Sequence, residues 1–137
     1  MPPMMYEIEI TRLEPEPVTI RADVSSATEA EAMTREPADG TSYVGVARHE
    51  GKVSWGDVHL WLAGDRALVR CDEHREWYAC DPAWAEVGTA SEVWFIDSDG
   101  TTPFPAPGAE TVSRAQAFAA LEYWLRTGGM LPTLRWA

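Results

Sequence analysis

Cysteine is scarce in this chain of 137 residues, which contains only Cys71 and Cys80. If the two lie on the arms of a hairpin that turns near Glu73 and His74, Cys71 falls opposite about Glu76, and Cys80 lies several residues further along its arm. A strand rises about 3.3 Å per residue, so the two Cα atoms would be too far apart for a disulfide. We therefore expect two free thiols, which suits a reducing compartment.

Basic residues are also few, with 11 Lys and Arg against 22 Asp and Glu and a formal net charge of -11. Such an acidic field repels nucleic acid, so we do not expect the chain to bind nucleic acid directly. Two interpretations remain: the charge serves solubility in a crowded cytosol, or it speeds encounter with a partner that has a basic surface.

Long apolar runs are absent, because no window reaches the roughly 18 apolar residues of a membrane span. The first residues, MPPMMYEIEI, lack the basic and then apolar regions of a secretory signal. We therefore expect a cytoplasmic protein with no membrane partner. The hydrophobic fraction of 45% and the seven Trp residues predict a folded globule, and the length favours a single domain over 1–137.

Short β-rich runs dominate the chain from its start to residue 97. Turn residues such as Glu50-Gly51 and Gly64-Asp65 separate them, and short links of this kind favour antiparallel neighbours. Strand 92–97 has apolar residues on both faces, as expected of a central strand covered on both sides. Residues 97–108 are predicted to be a turn and an extended proline segment. The predicted strands are 6–12, 18–21 in an edge hairpin with 6–12, 42–48, 54–63, 67–71, 76–80, 92–97 and a last strand at 134–136.

Two helices are predicted. Residues 25–35 are rich in Ala, Glu and Met behind hydroxyl residues, with a thin apolar face that suits the surface. The second begins at Ser113, where Gln116 completes a capping box, and ends at Gly128-Gly129. Together these elements predict an α+β fold: a mostly antiparallel β-sheet with a C-terminal helix packed on it and a short N-terminal helix.

Cys71, His74 and Cys80 are the most enzyme-like group in the sequence. A zinc site needs three or four converging Cys, His or carboxylate ligands, and these residues could supply three. Either cysteine could also pair with His49, His59 or His74 as a thiol nucleophile. The competing interpretations are a hairpin tip with incidental polar residues and small cysteines packed in the core.

Asp97 and Asp99 could act as an acid and base pair or bind a cation, but a DSDG sequence is also typical of a plain turn. No glycine loop for phosphate, serine elbow or His-Glu metallohydrolase motif occurs. We therefore expect no enzymatic activity, no cofactor and no bound metal.

The seven tryptophans are more than a small core usually needs, and Trp is enriched among the anchors of protein interfaces. Trp61 falls on the polar face of its predicted strand with Asp57 and His59, so core packing explains it least. Trp77 stands beside Glu76 near the predicted hairpin tip, where it could anchor a contact flanked by charge.

The C-terminal third carries a familiar pattern of spaced Gly, Pro and Trp residues after an alanine-rich helix. The residues of this pattern are Asp99-Gly100, Phe104-Pro105, Ser113, Ala115, Ala119-Ala120-Leu121, Leu125 and Gly129-x-x-Pro132-x-x-x-Trp136. With them, the chain over residues 92–137 resembles the Imm1 family of bacterial immunity proteins. That resemblance implies a protein that neutralises a polymorphic-toxin domain made by the same cell, often a nucleic-acid deaminase.

The leading hypothesis is therefore an immunity protein, monomeric when free, that forms a heterodimer with its toxin and occludes the substrate cleft of a cytosine-deaminase-like domain. One alternative is a small thiol or metal-dependent enzyme or ligand-binding domain that uses Cys71, His74 and Cys80. Another is an oligomeric scaffold joined through tryptophans. The predicted toxin contacts are acidic and aromatic residues at loop tips: Asp72, Glu73, Glu76, Trp77, Asp97 and Asp99, with Trp61 behind them.

Overall fold

The computed structural model describes residues 4–35, 40–87 and 91–137, and these residues contain ten strands. Each predicted strand is found, most of them one to three residues longer than predicted. The strands are β1 (Met4–Arg12), β2 (Val18–Val24), β3 (Thr41–Glu50), β4 (Val53–Ala63), β5 (Arg66–Glu73), β6 (Arg75–Cys80), β7 (Glu92–Ile96), β8 (Pro103–Pro107), β9 (Val112–Ser113) and β10 (Arg135–Trp136).

Eight of these strands form one antiparallel sheet in the order β10-β6-β5-β4-β3-β1-β2, with β9 paired to the end of β5. Consecutive strands are mostly neighbours because tight turns join them, as at Gly51 and Gly64, where positive φ angles favour glycine. The predicted first hairpin is confirmed, and β2 is an edge strand of the sheet.

Three helices accompany the sheet: α1 (Ala27–Thr34), α2 (Pro82–Val87) and α3 (Arg114–Thr127). The predicted start and end of α3 are confirmed, since Ser113 and Gln116 form a complete capping box and Gly128 ends the helix with φ 75°. Helix α2 was not predicted. Helix α1 matches the helix predicted at 25–35, but it follows the first hairpin, so the described chain begins with a strand and not with an N-terminal helix.

The main core lies between α3 and one face of the large sheet, as predicted. Strand residues that alternate along the sheet, such as Val44, Leu60 and Val69, are fully buried against Leu121 and Trp124 of the helix. Fully burying a side chain of this size contributes roughly 1.5 to 3 kcal/mol relative to exposure. The apolar face of α3 is thus a requirement of the fold.

Strands β7 and β8 form a separate two-stranded ribbon on the opposite face of the large sheet. Phe95 and Ala106 on its inner side pack with Tyr43, Trp61 and Leu68 in a second, smaller core. The prediction of a central strand at 92–97 is therefore wrong, because only the inner face is covered and Trp94 on the outer face is 58% exposed. The extended proline segment predicted within 97–108 is found at residues 103–107, and it pairs with β7, which was not predicted.

Proline is tolerated in β8 because of the way the ribbon is paired. At the two ends of the ribbon, Asp97 N–H donates to the Thr102 carbonyl and Gly108 N–H donates to the Ser91 carbonyl. The hydrogen-bonded pairs therefore lie at odd-numbered residues of β7 and even-numbered residues of β8. Prolines 103, 105 and 107 therefore fall where the backbone nitrogen points away from β7, and no ladder bond is lost.

None of the helices in the described chain has the length and apolar character to cross a membrane.

The two cysteines differ sharply in accessibility, which gives a direct test of the fold. Cys71 is buried in the main core, where desolvation raises the pKa of its thiol to about 12, while Cys80 is half-buried. At pH 8 a thiol reagent should modify a single cysteine in the native protein and both in urea, because only the thiolate reacts and Cys71 has almost none. Absorbance of released thionitrobenzoate measures the count.

The variant Cys80→Ser is the control for this test, and native Cys80→Ser should not react. Rapid modification of that variant would mean that Cys71 lies outside the core, in contradiction to the packing of β5 against α3.

Candidate functional site

The face of the large sheet opposite α3, here called the open face, is only partly covered by the β7 and β8 ribbon. Side chains on this face stand in three cross-strand rows, because antiparallel register places alternate residues of neighbouring strands side by side. The ribbon covers one row, which contains Thr11, Tyr43, Trp61 and Leu68. Two polar rows remain open to solvent.

The outermost row, here called the acidic row, is unusual in its charge. Across six neighbouring strands its members are Asp23, Glu7, Ala47, Asp57, Asp72 and Glu76. Five of the six positions therefore carry a carboxylate. Strands lie about 4.8 Å apart, so the row extends over roughly 24 Å.

The second open row mixes charges and contains Arg21, Glu9, Gly45, His59, Arg70 and Tyr78. Arg21 lies 3.6 Å from Glu9, and Arg70 lies 3.0 Å from Asp72 of the acidic row. The two guanidinium groups offset only part of the negative charge, because the two rows together carry six carboxylates.

A groove of about 480 Å³ runs along β3 between these rows. Its floor is formed by the small residues Gly45 and Ala47, and its walls carry Glu7 and Glu9 on one side and Asp57 on the other. A larger residue on β3 would fill the space, so the groove follows from residue size. Arg21 also lines the groove, but carboxylates outnumber it, and concave walls with an excess of one charge concentrate the field that a cationic ligand meets.

Gly45 has a second role, because the ring of Tyr43 lies across it. A Cβ atom at position 45 would overlap the Tyr43 hydroxyl, so only glycine leaves the ring this position. From there the Tyr43 hydroxyl reaches His59 Nδ1 at 2.5 Å, and His59 Nε2 lies 2.8 Å from Asp57 Oδ2. Burial raises the pKa of Tyr43, so its hydroxyl remains a donor to Nδ1 at neutral pH, and Nε2 then donates to Asp57.

Asp57 and Asp72 stand directly opposite each other and respond differently to their surroundings. Burial pushes the pKa of Asp57 upward, but the hydrogen bond and charge of His59 outweigh burial and lower it. Burial raises the pKa of Asp72, and the neighbouring Asp57 carboxylate adds to the rise. When the pair takes up a proton, Asp72 is therefore the first to bind it.

Asp57, His59 and Asp72 are also the group in the described part of the chain best placed to hold a metal, with three ligand atoms within 4.8 Å of one another. Both imidazole nitrogens already have hydrogen-bond partners, and His59 Nε2 lies 3.3 Å from Asp72 as well as close to Asp57. The three residues thus form a hydrogen-bonded chain with Tyr43.

Beyond the acidic row, the ends of two hairpins form a second concavity of about 570 Å³. Exposed Val53 and Trp55, the latter 47% exposed, stand beside acidic residues here. Gly56 has φ 102° and lies against the Asp72 carbonyl, so a side chain at position 56 would separate the two hairpins. Aromatic side chains are enriched at protein contact surfaces, and polar residues form the rim around them.

The predicted contact residues fall at three different places. Asp72 and Glu76 lie in the acidic row, and Glu73 lies beside them at the hairpin end, lining the second concavity. These three residues do come together, as the sequence predicted. The remaining four do not join them.

Trp77 faces the other way, toward the main core, where it pairs with Cys71 and Arg75 stacks 3.7 Å above its ring. The prediction placed Cys71 opposite about Glu76, but the turn centres on His74 and shifts the register by one residue. A shift of one residue exchanges the two faces of a strand. Glu76 therefore takes the open face and Trp77 the core side.

Trp61 is on the predicted face of its strand, but it is only 7% exposed because the ribbon covers it. Its indole nitrogen donates to Asp97 Oδ1 at 3.3 Å. The expectation that core packing explains Trp61 least is wrong, since Trp61 belongs to the second core.

Asp97 and Asp99 serve the ribbon turn, two rows away from the acidic row. The Thr102 hydroxyl and the backbone groups of Thr101 and Thr102 donate to Asp99, which lowers the pKa of Asp99 to about 2. Asp97 accepts from the Ser98 backbone as well as from Trp61. Both carboxylates are thus engaged within the protein.

The alternative site at Cys71, His74 and Cys80 is not assembled. Cys71 is in the core, His74 occupies the exposed turn with φ 67°, and Cys80 pairs with Arg135 of β10. These three side chains do not converge, so they cannot form a common metal site.

Several residues of the open face were not predicted as contacts, notably Glu7, Asp23, Asp57 and His59. Alternation in β1 and β4 places Glu7 and Asp57 on polar faces, and that signal was present in the sequence. What the sequence lacks is the pairing order that puts β1 beside β3 and so aligns the carboxylates of distant segments.

No family model matches the chain, and no curated protein resembles it in sequence.

The contact between Tyr43 and Gly45 can be tested by stability measurements. Tyr43→Phe should lower the free energy of unfolding by about 1 kcal/mol, because the bond to His59 is lost. Gly45→Ala should lower it by about 1 to 3 kcal/mol, because the new methyl group displaces the ring. Urea denaturation measures both changes.

The double variant Tyr43→Phe/Gly45→Ala tests whether the Tyr43 hydroxyl contacts a side chain placed at position 45. Removing the hydroxyl relieves part of the overlap, so the double variant should be less destabilised than the sum of the single variants. Gly129→Ala, which has room for a methyl group, is the matched control. Strict additivity of the two changes would contradict the described position of the ring.

Proposed function

We propose that this chain is an immunity protein. It binds a toxin domain of the nucleic-acid deaminase class that acts on cytosine, and it blocks the substrate cleft of that domain. The observation that carries the proposal is the acidic row: five carboxylates in one line across six strands, on a sheet face open to solvent. The protein itself needs no catalytic group for this role, because inhibition requires only tight binding.

The spacing of the carboxylates supports a partner that normally binds nucleic acid. Each strand of a nucleic acid duplex carries a charge about every 3.4 Å along its axis, and neighbouring β-strands lie about 4.8 Å apart. A line of carboxylates at this spacing is similar to a phosphate backbone in charge and scale. A basic cleft that accommodates phosphates would therefore accept the acidic row in their place.

One pair within the row, Asp57 and Asp72, also opposes folding, which argues for a role outside stability. Like charges directly opposite each other on neighbouring strands are destabilising, as for Asp57 beside Asp72. The folded pKa of Asp72 is raised, so the folded state holds its proton more tightly than the unfolded chain does. As pH rises through that raised pKa, ionisation of Asp72 lowers the free energy of unfolding. A cost of this kind is common at binding sites.

Apolar contacts would complete the interface at the hairpin ends. Trp55 and Val53 are exposed beside Glu73 and Glu76, and buried aromatic anchors carry much of the energy of protein interfaces. The proposed contact set therefore keeps Asp72, Glu73 and Glu76 from the sequence prediction. Its additions are Glu7, Asp23, Asp57 and Trp55. The C-terminal resemblance to Imm1 proteins is the second line of support.

The proposal is tested by co-expressing this chain with the product of the gene immediately upstream of its own. We expect the two proteins to co-purify as a stable complex, and we expect cells that produce the upstream protein to survive only when this chain is produced as well. A catalytically inactive form of the upstream protein is the control for expression burden. If no complex forms and the cells are not protected, the immunity function is wrong.

The acidic row is tested separately by removing two of its exposed charges. The double variant Glu7→Gln/Glu76→Gln should slow association with the toxin by on the order of three- to tenfold at low salt, because electrostatic steering is weakened. Stopped-flow fluorescence at two salt concentrations measures the rate and its salt dependence, and the latter should become shallower.

Glu29→Gln on α1, on the far side of the sheet, is the matched control and should leave the association rate unchanged. Both residues of the double variant are exposed, so its unfolding midpoint should remain close to that of the wild type. Equal association rates for the wild type and the double variant would exclude the acidic row from the interface.

A further inference from the structure

The edge strand β2 lacks the features that usually protect an edge from pairing. It is seven residues long, it pairs with β1 without a bulge, and it contains neither Pro nor Lys. Two of its side chains, Val18 and Ile20, are 45% and 37% exposed. Long, regular and partly apolar edges are the ones that accept another strand.

The other strand edges in the described chain are short or blocked. Strand β10, at the opposite end of the large sheet, has two residues, and β7 has five. The outer edge of β8 presents three prolines, which have no N–H to donate. Strand β2 is therefore the edge best suited to strand addition.

The sequence of β2 is complementary to itself in one antiparallel register. Along β2, every second residue points its N–H and C=O groups outward, away from β1. In a pair of strands related by a two-fold axis, the outward residues of one copy must lie opposite the outward residues of the other, so the numbers of two paired residues differ by an even number. When Ala22 faces Ala22 of a second copy, Arg21 faces Asp23 of that copy, and Ile20 faces Val24. Both opposite charges and apolar side chains then meet.

Neighbouring registers are worse for a physical reason. Sliding one strand by two residues places Arg21 opposite Arg21 in one direction and Asp23 opposite Asp23 in the other. Like charges directly opposite each other on paired strands are destabilising. The charges of β2 thus favour the register centred on Ala22 over its two neighbours.

We propose that β2 is a self-association edge, and that two copies of this chain join through antiparallel β2 strands centred on Ala22. The Arg21 side chain, which is 75% exposed and lies 3.6 Å from Glu9, also reaches Asp23 of the second copy. The two sheets become continuous, and both open faces lie on the same side. This dimer replaces the free monomer that the sequence predicted.

Sedimentation velocity over a concentration series tests the proposal with the full chain. The wild type should shift from 15.2 kDa toward twice that mass as concentration rises. Arg21→Asp and Asp23→Arg each place like charges opposite one another at two symmetric positions. Each single variant should therefore weaken dimerisation by on the order of tenfold.

Charge reversal then provides the decisive comparison. The double variant Arg21→Asp/Asp23→Arg restores both opposite-charge pairs, and it should dimerise like the wild type. An equimolar mixture of the two single variants should form a heterodimer for the same reason. Lys52→Asp, in an exposed turn away from β2, makes the same charge change as Arg21→Asp and should not affect dimerisation.

Two outcomes overturn the proposal: a wild type that remains monomeric at all concentrations, and single variants that dimerise as well as the wild type. Circular dichroism of each variant establishes that loss of dimer is not loss of fold. The experiment requires no toxin, so its result is independent of the proposed immunity function.

Discussion

The packing of α3 on one face of the large sheet is the constraint on which the rest of the structure depends. Val44, Leu60 and Val69 must face Leu121 and Trp124, and a slip of one residue in any strand would expose them. The same alternation places the intervening residues of each strand on the open face. The acidic row is therefore aligned by the apolar core on the reverse side of the sheet, although none of its carboxylates takes part in that core.

The ribbon of β7 and β8 determines how much of that face is available. It covers the row that contains Tyr43 and Trp61, where it adds a second core, and it leaves the two charged rows free. Gly45 and the Tyr43 hydroxyl then hold His59 and Asp57 in place. The open face thus has fixed side chains at its centre and longer, exposed carboxylates at Glu7 and Glu76. A partner would meet a surface that is largely formed before binding, which limits the entropy lost on association.

Local features of the fold were predictable where the signal is short in range. Strand alternation located each strand of the large sheet except the two-residue β9, and the capping box located α3, because both patterns depend on residues a few positions apart. The prediction failed at the turn of β5 and β6, where centring on His74 exchanged the faces of Glu76 and Trp77. Residues 103–107 are extended as predicted, but their pairing with β7 was not predicted, and their alternating prolines suit a strand only because their nitrogens point away from β7. At both places the pairing of individual residues decided the outcome.

The sequence by itself determined the α+β class, the C-terminal helix, the free thiols and the strong excess of negative charge. It also determined that Asp57 and Glu7 would stand on polar strand faces, since that depends only on alternation. Only the tertiary structure decided that these carboxylates form one line with Asp23, Asp72 and Glu76. The reason is that the order and register of strands distant in the chain arise from the burial of their apolar faces together, and no single segment encodes that pairing.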